Sequence, residues 1–152
     1  MTQHPVASTS IRRLPKRHDL LARYWKFGIV EYLEHLRHKL PSSQASMESF
    51  IFNAYSLTSV LLQDVPSFQA VWMECLGDLA RYLFAIEGEN EENKEHWKSV
   101  ARDWYLKTID VGQATEGRLF HHLGIISKGD PLLQLFYYAK RYSCRDIYLM
   151  IV

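Results

Sequence analysis

Cysteine is scarce in this chain: Cys75 and Cys144 are the only two in 152 residues. Two are too few for a disulfide framework and have no zinc-ligand spacing, so a reducing compartment and two small core thiols are expected. No apolar run approaches the ~20 residues that a membrane span requires. An excess of charge of one sign is missing as well. Lys and Arg number 18 against 17 Asp and Glu, a formal net charge of +1. No uniformly basic coat is indicated, so any anion site must be local. The sequence lacks a phosphate-cradling Gly-rich loop, a nucleophile elbow and any Cys/His dyad that spacing would identify. Carboxylates cluster in the run 87–95, where solvent leaves no reason for a raised pKa. His121 and His122 are adjacent, hence about 100° apart on a helix, and no Glu-x-x-His pair adds further ligands. No catalytic group, cofactor, metal or small-molecule substrate is expected, and an enzyme is the least supported class.

What the chain does hold is core-forming material. Hydrophobic residues make up 47%, with 4 Trp, 9 Tyr and 7 Phe, and a domain of this size buries roughly 70% of its unfolded surface. Residues 1–18 carry Arg12, Arg13, Lys16 and Arg17 and no acid. They read as a disordered basic tail, with nuclear import or nucleic-acid contact as the alternative use. Pro5 and Pro15 interrupt the amphipathic helix that a mitochondrial transit peptide needs. Residues 19–152 read as one α-helical domain.

Every long segment has helical periodicity, so the fold class is all-α. A first helix is predicted over 19–39, with Asp19 as N-cap and a stripe of Leu21, Trp25, Gly28, Ile29, Tyr32 and Leu36. A second, over 46–63, puts Phe50, Ala54, Leu57 and Leu61 on one face. The third starts near Pro66, ends before Gly88 and carries Trp72, Cys75, Leu76, Leu79, Leu83 and Ile86. The acidic run 87–95 reads as a solvated loop. A fourth helix shows Trp97, Val100, Ala101, Trp104 and Thr108 and stops at Gly112; a fifth holds Leu119, Leu123 and Ile126. Gly129-Asp130-Pro131 supplies a stop, an N-cap and a first-turn proline for a sixth, with Leu132, Leu133, Phe136 and Ala139. Residues 146–152 are mostly apolar and begin another helix. The last four full helices form two hairpins. Leu76-Gly77 and Leu123-Gly124 occupy similar places in them, a small-residue position where helices approach closely.

Arg81 is the first candidate for function. On a helical wheel it lies almost opposite the Leu76/Leu79/Leu83 stripe, on a face with Ala70, Gly77 and Ala85. Small residues around one arginine suggest a groove that something enters closely. The plainer reading is an exposed arginine paired with Asp78 at i−3, worth roughly 0.2–0.5 kcal/mol. Lys26 borders the first stripe, with Arg23 and Arg37 on the same flank; a lysine so placed ordinarily extends its head into water.

The segment Leu76-Gly77-Asp78-Leu79-Ala80-Arg81-Tyr82 resembles the Leu-Gly-Asp-x-x-Arg-Tyr motif of the SMG/Est family of nonsense-mediated mRNA decay and telomerase-associated proteins. The 14-3-3 proteins carry a similar Gly-Asp-x-x-Arg-Tyr-Leu, matched here through Leu83. Trp104-Tyr105, Phe120-His121-His122-Leu123, Lys128-Gly129-Asp130 and Phe136-Tyr137-Tyr138 are similar, in order, to the family's next motifs, and the similarity covers 20–142. It implies a 14-3-3-like helical layer followed by tetratricopeptide-like (α-solenoid) repeats of antiparallel hairpins. The implied role is a non-enzymatic adaptor that binds phosphorylated protein segments, in the cytoplasm, the nucleus or both. Arg81 falls on the family's phosphate-binding arginine and Tyr82 on the tyrosine that assists it. Lys26, within Trp25-Lys26-x-x-Ile29, falls on the lysine that completes the pocket. An arginine can grip two oxygens of a phosphoserine while a lysine adds a point charge.

Departures from the pattern carry their own implications. Leu33 stands where 14-3-3 proteins have a second basic residue, which implies a weaker site unless Arg23 or Arg37 substitutes. His121-His122 replaces an Asn-Gln pair. Relatives continue past the second hairpin, so a fragment, a shortened paralogue or a decayed copy is expected. Two other uses fit the residues. One is RNA or telomeric single-stranded DNA bound by the tail with Arg118, Lys128, Lys140, Arg141 and Arg145. The other is a structural scaffold that binds a partner through its C-terminal apolar segment.

Overall fold

The computed structural model describes residues 19–88, 90–112 and 116–144, and these contain helices and no strand. The basic tail, Arg145 and the C-terminal apolar segment lie outside the described residues. No helix among those described is long and apolar enough to cross a membrane. The chain divides into two compact units, Met1–Cys75 and Leu76–Val152, each with its own local logic.

In the first unit, α1 (Leu20–Arg23) runs into a π turn (Tyr24–Val30) and then α2 (Glu31–Arg37). Asp19 is not the expected cap: it sits at φ 49° and its side chain makes no capping bond. The π turn closes wider rings than an α-helix, so a 100° wheel drawn through it misplaces its neighbours. The buried residues are Ile29, Leu33 and Leu36, while Gly28 and Tyr32 face outward. Tyr32 lays its ring against Phe50, with centroids 4.6 Å apart.

The long helix α3 (Gln44–Asp64) buries Met47, Ile51, Ala54 and Thr58, a face rotated away from the expected Phe50/Leu57/Leu61 side. Thr58 is the reason. Its hydroxyl donates to Ala54 O at 2.7 Å and therefore accepts from the Tyr24 hydroxyl at 3.0 Å. A residue that hydropathy counts against the core is thus fully buried with its polar atom satisfied. Buried Ser43 donates to Leu36 O, which fills one of the carbonyls left open at the end of α2. A 3-10 turn (Pro66–Phe68) leads into α4 (Gln69–Ile86). There Trp72 donates to Val65 O at 3.2 Å and meets the Tyr24 ring edge-on.

The unit division falls inside α4. The second unit takes the rest of that helix and adds α5 (Glu91–Val111), α6 (Glu116–Ile126) and α7 (Pro131–Ser143). Half of the expected acidic loop is helix. Asn90 accepts from the Asn93 N–H at 3.1 Å, and Glu91 and Glu92 occupy the first turn, where carboxylates suit the positive end of the helix dipole. Gly112 closes α5 at φ 66°. Asp130 accepts from Leu133 N and Pro131 takes the first position of α7, as expected.

The core of this unit joins Ala80, Ala101, Tyr105, Leu119, Leu123, Ile126 and Tyr137. Two expectations are corrected here. On α5 the fully buried aromatic is Tyr105, while Trp104 is half-buried. On α7 the expected stripe is only partly inward: Leu133 packs against the core, but Leu132 is 81% exposed and Phe136 50%, whereas Tyr137 is buried. In both helices a tyrosine, with its polar hydroxyl, holds the core position next to an aromatic that lacks one or shows less of it. Cys75 is buried as expected, but Cys144 is only half-buried and donates to Lys140 O at 3.3 Å. Gly77 and Gly124 are close-approach points, Gly77 under the Tyr105 ring and Gly124 under the Tyr138 ring.

Candidate anion-binding cluster

Asp78 and Arg81 stand one turn apart on α4, so a pair between them follows from spacing alone. The Arg81 Nη2 lies 3.3 Å from Asp78 Oδ1. What spacing does not give is the third member. Tyr105 passes over Gly77 and delivers its hydroxyl to the same oxygen, donating at 2.7 Å, while it accepts from Arg81 Nε at 3.2 Å. One hydroxyl therefore braces both charges. The His122 ring, on α6, brings Nδ1 within 3.1 Å of Asp78 Oδ1, although that approach is off the hydrogen-bond line and the nitrogen has no aligned partner.

Burial would raise the Asp78 carboxyl, but His122, Arg81 and the Tyr105 hydroxyl together outweigh it and hold the pKa below the ordinary value. Burial first, then the Asp78 charge, pushes the Tyr105 phenol well up, so it stays a neutral hydroxyl. Asp78 is thus an anion surrounded by donors and serves Arg81 as a fixed counter-charge.

Arg81 is held but not sealed. Its side chain keeps 26% of its exposure, and the guanidinium lies 5.5 Å from the Tyr82 ring centre. This departs from the expectation of an arginine standing outside the core: α4 is buried on nearly every side from Cys75 to Ala80. The structure brings Asp78, Arg81 and Tyr82 together and adds Tyr105 and His122, which the sequence reading missed. The signal for Tyr105 in the sequence is the Trp104-Tyr105 pair within the family resemblance, which gave it no role at the site.

The other expected cations belong to the first unit. Lys26 sits within the π turn, with Nζ 5.2 Å from the Phe27 ring centre. Arg23 is exposed at the end of α1. Arg37 is paired with Glu34 at 3.0 Å. Leu33 is fully buried.

Farther along α6 and α7, Arg141 Nη1 lies 3.1 Å from His121 Nδ1, and the His121 ring is 6.0 Å from those of His122 and Tyr138. Burial lowers the His121 pKa, and the charges of Arg141, His122 and Arg81 lower it further.

No family model matches this chain, and no solved structure does. A curated protein of Saccharomyces cerevisiae, EST/SMG-like protein 2, is 24% identical over 109 residues, which is 70% of this chain. The chain spans 9% of that protein's length. This is a distant and partial likeness to the SMG/Est group, in line with the motif around Arg81.

Proposed function

We propose that this chain is a non-enzymatic adaptor that binds phosphorylated peptide segments at Arg81 and Tyr82, in a complex of mRNA decay or telomere maintenance, through a 14-3-3-like and tetratricopeptide-like stack. The observation that carries it is the brace on Arg81. Asp78 and Tyr105 fix Nε and Nη2, so the guanidinium is aimed before any ligand arrives, and the side chain as a whole stays partly exposed. Prior aiming matters because an ordered donor loses less freedom on binding. A phosphoserine brings about −1.5 to −2 charge, and each charge-assisted bond to it is worth roughly 1.5–3 kcal/mol. The Gly77/Tyr105 and Gly124/Tyr138 approaches support the repeat character, and the name of the yeast relative supports the setting.

The test is a calorimetric titration with Ser-Gln and Thr-Gln peptides, phosphorylated and plain. A preference of about tenfold or more for the phosphorylated form, lost in Arg81→Gln, is expected. Equal affinity for both forms overturns the proposal. Lys26→Glu enters the same titration as a separate variant. Binding to single-stranded RNA or DNA that weakens steeply with salt would favour the nucleic-acid reading instead.

A further inference from the structure

Arg141 carries only donors, so its 3.1 Å contact with His121 Nδ1 requires that nitrogen to accept. His121 is therefore neutral there, with its proton on Nε2. Such an arrangement is unusual in what it joins: two basic groups face each other, one of which must give up its charge to stay. The next residue of α6 is His122, whose Nδ1 lies 3.1 Å from the Asp78 Oδ1 that also pairs with Arg81. Arg81, His122, His121 and Arg141 thus follow one another across three helices, and the acid at the Arg81 end is Asp78.

The geometry points to a proton-linked anion subsite: His121 and Arg141 extend the Arg81 site on the second hairpin, and an oxyanion of the phosphate or sulfate type is bound there together with a proton at His121. This rests on the phosphopeptide reading of Arg81 and names the part of that site that senses pH. In the empty site a proton on Nδ1 would meet the Arg141 guanidinium head-on, and the contact would break. A dianion placed against both groups removes the repulsion, since His121 and Arg141 then each donate to it. The groups facing His121 are Arg141 and Tyr138 from α7, His122 from its own helix and Arg81 from α4. With burial and these cations holding the free pKa below the ordinary value, and the dianion raising it, binding strengthens as pH falls from the bound pKa towards the free one. Below the free pKa the gain levels off. One proton gives at most about tenfold per pH unit.

Sulfate is the cleaner probe, because a phosphate monoester titrates near pH ~6 itself. Isothermal titration of the full chain with sulfate, between pH 8 and pH 6, is expected to show affinity rising at least about threefold. Proton uptake is read from two buffers of different ionisation enthalpy. His121→Gln, which keeps an acceptor for Arg141, is expected to abolish both the slope and the proton uptake. A pH-independent sulfate affinity, or a slope that survives His121→Gln, overturns the subsite and leaves the Arg81 reading standing. Loss of phosphopeptide preference from the unmodified chain at every pH overturns both.

Discussion

The Tyr105 ring fills the space that a side chain on Gly77 would need: a Cβ built there falls 2.7 Å from Tyr105 Cε1. The ring cannot swing aside cheaply, because it is fully buried and its hydroxyl is fixed on Asp78. Gly77→Ala gains ~1 kcal/mol of helix propensity but forces an overpacked core, which costs ~1–3 kcal/mol. With the ring pinned, the second effect wins. A net loss of up to about 2 kcal/mol is expected, read as a lower urea midpoint at constant slope. An unchanged or raised midpoint would mean that the ring yields.

Tyr105→Phe keeps the ring and removes the brace. Asp78 then loses its shortest donor and Arg81 Nε its partner, both in a largely buried place. Stranded buried polar groups cost about 1–3 kcal/mol, so the unfolding midpoint should fall without any change in volume. Arg81 should also lose its aim, and the preference for phosphorylated over plain peptide should narrow with it. Full stability together with full preference in Tyr105→Phe would show the hydroxyl to be idle.

The helical class, the Gly112 stop, the Asp130-Pro131 start and the Leu-Gly close approaches were all legible in the sequence, because each depends on neighbours along the chain. The buried faces were legible only where hydropathy and position agree. Thr58, Tyr105 and Tyr137 hold core places despite their hydroxyls, and the π turn shifts the wheel around Tyr32 and Leu33. At the candidate site the Asp78–Arg81 pair is a matter of i−3 spacing. Tyr105 joins it from 24 residues beyond Arg81, and no periodicity encodes which aromatic of a distant helix will cross a given glycine.

Asp78 sets an expectation for pH. Its folded pKa lies below the ordinary carboxyl value of 3.8. The stability it contributes is therefore present above the unfolded pKa and is lost as pH falls through the folded one. Asp78→Asn should be clearly less stable at neutral pH, where it leaves Arg81 without its counter-charge. The difference in urea midpoint between the two proteins should then shrink below pH ~4. A gap that stays constant down to pH ~3 would place the effect of the substitution in packing rather than in charge.

On α7 the two faces make opposite predictions, and only one agrees with a hydropathy wheel. Leu132 and Leu135 are 81% and 66% exposed, and Tyr137 is 5% exposed. Leu132→Gln and Leu135→Gln should each stay within about 0.5 kcal/mol of the parent. Tyr137→Ala opens a hole beside Phe120 and should cost about 3–5 kcal/mol, as other large aromatic truncations do. The wheel that took Leu132, Leu133, Phe136 and Ala139 as the buried stripe predicts instead that Leu132→Gln costs more than Tyr137→Ala, and it makes no claim on Leu135. Urea midpoints of the three variants decide between them, and a Leu135→Gln as costly as Tyr137→Ala would mean that the leucine face is covered in solution.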